Sequence, residues 1–206
     1  MWVLLTGSIG TAKTALADIL AKDGFFFPKV EDPKSWNDSF DREFSYLAQR
    51  TAEMESVKSI RDRGKIVTIR SIWDTIVFAR AAVKSFDMSE ERCEMLTNMV
   101  RSLHGIAEKP DMVVYAYAPK ISAIDRATMK GNLSVDDMFM DSLLEEYDDF
   151  VKNIEAPMID VDVTMPYEAM REMLTFNMAS IGSTRISEET IWKKDFVNEF
   201  WMAKKN

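Results

Sequence analysis

The segment "GSIGTAKT" at residues 7–14 places Gly7, Gly10, Lys13 and Thr14 at fixed spacing. It lies between two stretches with regular hydrophobic patterns. The apolar run "WVLL" (2–5) before it predicts a buried strand, and "AKTALADILAKD" at its end predicts a helix. A glycine-bearing turn from strand to helix directs several backbone N–H groups at one point, beside the positive end of the helix dipole. The segment therefore predicts a phosphate-binding loop, and the alternative is a tight turn with an incidental lysine.

Position 12 departs from the strict spacing of such a loop, which has glycine there. Ala12 adds a methyl group, which is tolerable only if its backbone keeps a negative φ, since a left-handed conformation costs about 1–2 kcal/mol. We expect that negative φ and an intact loop. Lys13 is expected to reach the β- and γ-phosphates, and Thr14 to offer its hydroxyl to Mg²⁺. The predicted nucleotide-binding residues of the loop are Gly7, Ser8, Ile9, Gly10, Thr11, Ala12, Lys13 and Thr14.

Short apolar runs alternate with long helical patterns along the rest of the chain. The predicted strands are 2–5, 24–30, 65–69, 111–118 and 157–163, and helices are predicted between them, one of them with Ser89 as its N-cap. Strands of this length that alternate with helices indicate βαβ units and a parallel sheet. The sequence predicts an α/β fold of three layers (α/β/α) around a five-stranded parallel sheet with right-handed crossovers.

Composition excludes several classes of function. The 206 residues suit one domain, and no apolar stretch approaches the roughly 20 residues of a membrane span, so no membrane partner is expected. The net charge of −8 disfavours broad nucleic-acid binding but leaves a local basic pocket open. A single cysteine, Cys93, cannot form an internal disulfide, which favours a reducing cytoplasm.

The last 24 residues differ from the body of the chain. They follow Gly182, and their aromatic and aliphatic side chains recur near helical spacing. We therefore divide the chain into a domain at 1–182 and a helical appendage at 183–206. The appendage is either a helix packed on the body or a subunit contact in a homodimer, because aromatic residues are enriched at interfaces.

Three further motifs follow the predicted strands, where an open α/β sheet places its site. They are "VEDPKSW" (30–36), "IRSIWDTIVFA" (69–79) and "DRATMKGN" (125–132). Together with the loop, this ordered set resembles the deoxynucleoside kinase family of P-loop phosphotransferases, and more distantly the thymidylate kinases. The resemblance covers about residues 2–165. It implies a P-loop kinase fold with a lid near 125–134, ATP and Mg²⁺ as cofactors, and a nucleoside or nucleotide as substrate.

The resemblance also implies roles for individual residues. Either Glu31 or Asp32 is the catalytic base: Glu31 keeps the family's step to the tryptophan, and Asp32 directly precedes the proline. Arg70 contacts the transferring phosphate, and Lys13 assists it. The residues implied to contact the nucleoside are Trp36, Tyr46, Gln49 and Asp74, and those implied to act as lid cations on the nucleotide are Arg126 and Lys130.

Departures from the family pattern keep other functions open. Ile69 stands where the family has a glutamate near the metal, and the lid has fewer cations than the family's lid. A nucleoside is favoured as the acceptor because "VEDPKSW" and "IRSIW" are closer to the nucleoside kinases. The alternatives are a nucleoside monophosphate kinase, a kinase that acts on a modified base in DNA, and a non-catalytic nucleotide-binding protein of the same fold.

Overall fold

Four parallel strands form the sheet in the computed structural model, which describes residues 1–28, 38–61, 64–129, 136–154 and 156–181. Their order across the sheet is β2-β1-β3-β4. The strands are β1 (Trp2–Thr6), β2 (Ile66–Ile69), β3 (Met112–Tyr117) and β4 (Met158–Asp162). The helices are α1 (Lys13–Lys22), α2 (Ser39–Arg61), α3 (Ile72–Lys84), α4 (Glu90–His104), α5 (Lys120–Met129), α6 (Asp137–Lys152) and α7 (Tyr167–Ile181). The predicted α/β class with a parallel sheet is confirmed.

The predicted strand at 24–30 is reduced to one bridge. Phe26 pairs in parallel with Ile66 at the outer edge of β2, and its N–H donates to the carbonyl of Lys65 at 2.8 Å. Pro28 has no N–H with which to extend the ladder, and residues 29 and 30 lie outside the described part of the chain. The described residues therefore form four strands instead of the five predicted.

The core is built on the sheet and on helix α3. Every residue of β1 is buried, as expected for a central strand with neighbours on both sides. Helix α3 contacts α2, α4 and α6, while α1 packs on β1 and β2, and α7 packs on β4. Ser89 caps α4 as predicted, since its side chain accepts a hydrogen bond from the backbone N–H of Arg92. Among the described helices, none has the length and apolar character needed to cross a bilayer.

The site lies at the point where the strand order reverses, next to β1. From β1 the chain goes first to β2 on one side and later to β3 on the other. Ligands of open parallel sheets bind at such a point, outside the carboxyl ends of the strands. The segment 7–12 follows β1 here, and Arg70 follows β2.

Candidate active site

The glycines of the loop at 7–14 are fixed by close backbone contacts. Gly7 has φ +134°, and a Cβ atom there would lie 2.1 Å from the carbonyl oxygen of Ala116 at the end of β3. Gly10 has φ +75°, and its Cβ would lie 1.9 Å from the carbonyl oxygen of Ala123 in α5. No side chain can occupy either position without moving backbone. The loop therefore packs closely against β3 and α5. It leads from β1 into the N-terminus of α1, where backbone N–H groups can bind an anion.

Ala12 adopts the left-handed conformation, so the expected negative φ is wrong. Its φ is 48° and its ψ is 25°, and it is the N-cap residue of α1. The chain must turn sharply from the loop at Gly10 into the first turn of the helix, and this turn determines the sign of φ. An alanine held there carries strain of about 1–2 kcal/mol.

Replacing Ala12 by Gly is expected to raise stability by up to about 1 kcal/mol, because the relief of left-handed strain exceeds the entropy that Gly adds to the unfolded chain. Nucleotide affinity should change by less than about tenfold, because the loop already has the shape that a glycine would adopt. Ala15→Gly, at an exposed position inside α1, is the control and should lower stability by about 0.5–1 kcal/mol. Chemical denaturation and calorimetry measure both quantities. An affinity gain of several hundredfold in Ala12→Gly would mean that the natural loop is damaged.

Lys13 bends back across the loop. Its Nζ atom donates hydrogen bonds to the carbonyl oxygens of Gly7 at 2.8 Å and Ser8 at 2.5 Å, and to Oγ1 of Thr11 at 3.0 Å. The side chain is buried, whereas Thr14, one residue further along α1, is exposed. The ammonium group therefore lies against the loop, and contact with phosphate oxygens would require it to exchange these carbonyl partners.

The described residues provide no dedicated metal cage. No group of three or more His, Cys, Asp or Glu side chains among them is arranged to hold a metal ion. Mg²⁺ keeps several water ligands and is commonly held by one or two protein oxygens together with substrate phosphates. The exposed hydroxyl of Thr14 beside the loop fits that mode of binding.

Arg70 lies across from the loop, at the carboxyl end of β2. Its backbone N–H donates to the carbonyl of Leu5 in β1 at 2.8 Å, and its φ of 63° is also left-handed. The guanidinium carbon is 4.0 Å from the centroid of the Phe78 ring and 5.8 Å from that of Tyr46. The Nε atom is buried and has no hydrogen-bond partner in the described chain. Arg70 is thus stacked on an aromatic wall with one donor unused.

Neighbouring groups keep the Arg70 guanidinium in its charged form. Burial acts to lower the pKa of this guanidinium, but the nearby Tyr147, Glu43, Tyr46 and Asp74 raise it above its ordinary value on balance. The side chain therefore remains a cation at every physiological pH, which suits a contact with phosphate.

A small cavity surrounds the Arg70 side chain. It holds about 10 Å³ of space, about enough for one water molecule. The residues that line it are Glu43, Tyr46, Arg50, Arg70, Ser71, Asp74, Thr75 and Phe78. Of the predicted nucleoside contacts, Tyr46 and Asp74 line this cavity, and Gln49 lies half-buried on the same helix as Tyr46. The cavity is too small for a nucleoside unless side chains such as Arg70 move.

Asp74 connects three elements beneath the cavity. Its Oδ1 accepts hydrogen bonds from Thr6 Oγ1 at 2.5 Å and from the hydroxyl of Tyr147 at 2.8 Å. Its Oδ2 accepts from the backbone N–H and the hydroxyl of Ser71, which completes a capping box at the start of α3. Both oxygens are therefore occupied within the protein, and contact with the base of a substrate stays a prediction. The shared carboxylate joins the end of β1 to α3 and α6.

Sequence reasoning missed the buried charges of α2. Glu43 is 2% exposed, its carboxylate accepts from Nε of Arg42 at 2.9 Å, and burial raises its pKa. Arg50 and Glu53 are also buried and form an ion pair. The pattern that could have revealed them is a helical stripe that mixes charged with apolar residues, and its members are Glu43, Leu47, Arg50, Glu53 and Val57.

Arg126 lies on α5, where the predicted lid begins. Its Nη2 donates to the carbonyl of Val163, just after β4, at 3.0 Å. Its Nη1 is buried without a hydrogen-bond partner in the part of the chain that the structure describes. Nη2 of this guanidinium is thus bonded within the protein, and a contact between Arg126 and the nucleotide stays a prediction.

Several predicted residues lie outside the described part of the chain. Both candidates for the base, Glu31 and Asp32, are among them, as are Trp36 and Lys130. The same holds for residues 130–134 of the predicted lid and for the appendage at 183–206. Their roles stay predictions from the sequence.

Comparison with known families agrees with this geometry. A sequence model described as "Deoxynucleoside kinase" matches residues 3–182. The chain belongs to the deoxynucleoside kinase family. It is therefore an ATP-dependent kinase of that family, and the resemblance of its motifs is confirmed. A comparison with curated proteins finds no match.

Solved structures share the fold of this family member. Deoxyadenosine kinase from M. mycoides with bound dATP is similar, with a TM-score of 0.73, 18% identity, and coverage of 87% of this chain and 100% of that one. The same enzyme with products dCMP and a flexible dCDP gives a TM-score of 0.71 at 18% identity, and with dCTP 0.69 at 15% identity. Coverage is the same in both, 87% of this chain and 100% of that chain.

Proposed function

We propose that this kinase transfers the γ-phosphoryl group of ATP to a hydroxyl of a deoxynucleoside. The observation that carries the proposal is the position of two groups at adjacent strand ends. The glycine loop with Lys13 follows β1, and the buried Arg70 beside an aromatic-walled cavity follows β2. Phosphoryl transfer needs positioning and charge stabilisation far more than covalent chemistry, and these groups supply both.

The donor side is the loop. Its backbone N–H groups and Lys13 bind the β- and γ-phosphates, and Mg²⁺, held by Thr14 and phosphate oxygens, neutralises developing charge. Arg126 donates its unused Nη1 to the nucleotide, with Lys130 as a second lid cation. Each of these contacts is a charge-assisted hydrogen bond, the stronger kind.

The acceptor side is the cavity around Arg70. Arg70 leaves the Phe78 ring and contacts the transferring phosphate, where a buried cation stabilises the transition state most effectively. The vacated space takes the nucleoside, between Tyr46 and Phe78, with Gln49, Asp74 and Trp36 as further contacts. Glu31, or Asp32 if the motif is shifted by one residue, accepts the proton of the attacking hydroxyl.

Ile69 is the departure from the family pattern that bears on this proposal. It pairs with Leu5 at the carboxyl end of β2, where the family has a glutamate near the metal. No carboxylate can act from that position, so the proposal assigns the metal to Thr14 and phosphate oxygens.

The test is an acceptor panel. The full chain is incubated with ATP and Mg²⁺ and with deoxynucleosides, deoxynucleoside monophosphates or oligonucleotides carrying modified bases, and the products are identified by mass spectrometry. We expect a deoxynucleoside monophosphate as the product. Reaction with monophosphates or oligonucleotides alone would transfer the proposal to those acceptors, and ATP binding without any product would contradict it.

A further inference from the structure

We infer that Arg70 keeps the acceptor cavity closed until a donor is bound, and that the γ-phosphate opens it by drawing the guanidinium off the Phe78 ring. Donor binding then raises the affinity for the acceptor, and by thermodynamic linkage the acceptor raises the affinity for the donor by the same factor. This inference rests on the proposed function, since it takes the cavity as the acceptor site and Arg70 as a contact of the transferring phosphate.

The closed form is defined by the space that the Arg70 side chain fills. The cavity around it holds about 10 Å³, about enough for one water molecule. The guanidinium carbon lies 4.0 Å from the centroid of the Phe78 ring, so the cation covers the face of that ring. An acceptor that uses this ring face must first replace the guanidinium.

The backbone of Arg70 is anchored, so the opening is a rotation of its side chain. The N–H of Arg70 donates to the carbonyl of Leu5 at 2.8 Å, and the capping box of Ser71 and Asp74 fixes the start of the next helix. Strands β1 and β2 are neighbours in the sheet, and the phosphate loop follows β1 directly. Rotation about the side-chain bonds can therefore carry the guanidinium from Phe78 towards the loop.

The contacts that hold the guanidinium in the closed form are weaker than those that a phosphate offers. Nε of Arg70 is buried without a hydrogen-bond partner in the described chain. The carboxylate of Glu43 accepts from Arg42, and both oxygens of Asp74 are occupied. The contact with Phe78 is thus a desolvated cation–π interaction, equivalent to about 30-fold in an equilibrium constant. A phosphate offers charge-assisted, bidentate hydrogen bonds to the same group and is the stronger partner.

The size of the effect follows from the population of the open form. A closed form that is favoured about 30-fold lowers the apparent affinity for the acceptor by about the same factor. Donor binding removes this penalty, so acceptor affinity should rise by about 10- to 30-fold. The competing explanation is that Arg70 leaves the ring as readily without a donor, and acceptor affinity is then independent of the donor.

The first experiment measures acceptor binding to the full chain by calorimetry, with deoxyadenosine, deoxyguanosine, deoxycytidine and thymidine. Each is titrated alone and in the presence of Mg²⁺ with saturating AMP-PNP, an ATP analogue that is not hydrolysed, or with ADP, which lacks the γ-phosphate. Phe78→Leu keeps an apolar side chain but removes the ring. Phe25→Leu is the matched control, because the buried Phe25 ring also lies under a cation, the Lys65 ammonium at 5.4 Å, beside the opposite end of β2 from Arg70.

The second experiment follows Arg70 itself and needs no acceptor. In protein labelled with ¹⁵N-arginine, the Nε–H signal of Arg70 is assigned by its loss in Arg70→Lys. The ring current of Phe78 should shift this signal to high field in the free protein. Adding AMP-PNP and Mg²⁺ should return it to an ordinary position, and Phe78→Leu should remove the high-field shift without any nucleotide.

We expect the best-binding deoxynucleoside to gain about 10- to 30-fold in affinity with AMP-PNP. The gain should be much smaller with ADP and in Phe78→Leu, while Phe25→Leu behaves as wild type. The wild-type measurements hold even if Phe78→Leu fails to fold. An acceptor affinity independent of AMP-PNP, an equal gain with ADP, or an Arg70 signal that does not respond to AMP-PNP would overturn the inference. An Arg70 signal that responds while no deoxynucleoside binds in any state would overturn the proposed function and leave the release of Arg70 by the donor standing.

Discussion

Replacing Glu31 by Gln is expected to reduce turnover of the cognate nucleoside by about 10²–10⁴-fold, the usual cost of removing a positioned general base. Glutamine keeps the size of the side chain but cannot accept the proton of the attacking hydroxyl. Substrate affinity should change little, so the loss should appear in kcat rather than in KM. Steady-state kinetics with the preferred deoxynucleoside measure both parameters.

Asp32→Asn is the matched variant for this test. If Asp32→Asn abolishes turnover while Glu31→Gln does not, Asp32 is the base. The match to the family motif is then shifted by one residue, and the mechanism stands. Turnover at the wild-type rate in both variants would contradict the mechanism. "EDPKSW" would then be only a turn that leads towards α2.

Lys13→Ala is expected to lower ATP affinity by at least about 100-fold, or about 2.7 kcal/mol. The ammonium group donates hydrogen bonds to Gly7, Ser8 and Thr11 in the loop and would donate to phosphate oxygens instead in the complex. Hydrogen bonds to a charged group contribute about 1.5–3 kcal/mol each, so even one lost contact is measurable. Calorimetric titration with ATP and Mg²⁺ gives the affinity.

Two controls separate binding from folding. Lys22→Ala removes a lysine from the last turn of the same helix, where its Nζ donates to Tyr167, and should leave affinity unchanged. Circular dichroism and thermal unfolding check Lys13→Ala, because the carbonyls of Gly7 and Ser8 lose a partner in that variant. Wild-type affinity in a folded Lys13→Ala protein would remove the assignment of the phosphate loop.

The fold and the loop were predictable because local signals determine them. Buried parallel strands are near-continuous apolar runs, so "WVLL" and "DMVVYAYA" were recognisable as β1 and β3 without tertiary information. The glycine spacing of the loop likewise reflects backbone contacts that admit no side chain, as the close approach of Gly10 to Ala123 demonstrates.

The remaining features depend on contacts distant in sequence. Ala12 takes its left-handed φ in a turn that starts at Gly10, and Gly10 is held against Ala123 of α5, a contact that no local pattern encodes. The contraction of the strand at 24–30 depends on where Phe26 meets β2. Asp74 was predicted as a nucleoside contact, and its hydrogen bonds with Thr6 and Tyr147, which come from other elements, could not be predicted from α3 alone.

The carboxylate of Asp74 also bears on how the two substrates communicate. It holds the residue that precedes the phosphate loop and the helix that begins two residues after Arg70. The backbones that carry Lys13 and Arg70 are thus linked through the same buried carboxylate, and the N–H of Arg70 also bonds to Leu5 of β1. We therefore expect changes in the site during a catalytic cycle to come from side chains such as Arg70, and a change of acceptor to alter the cavity walls while this backbone connection is kept.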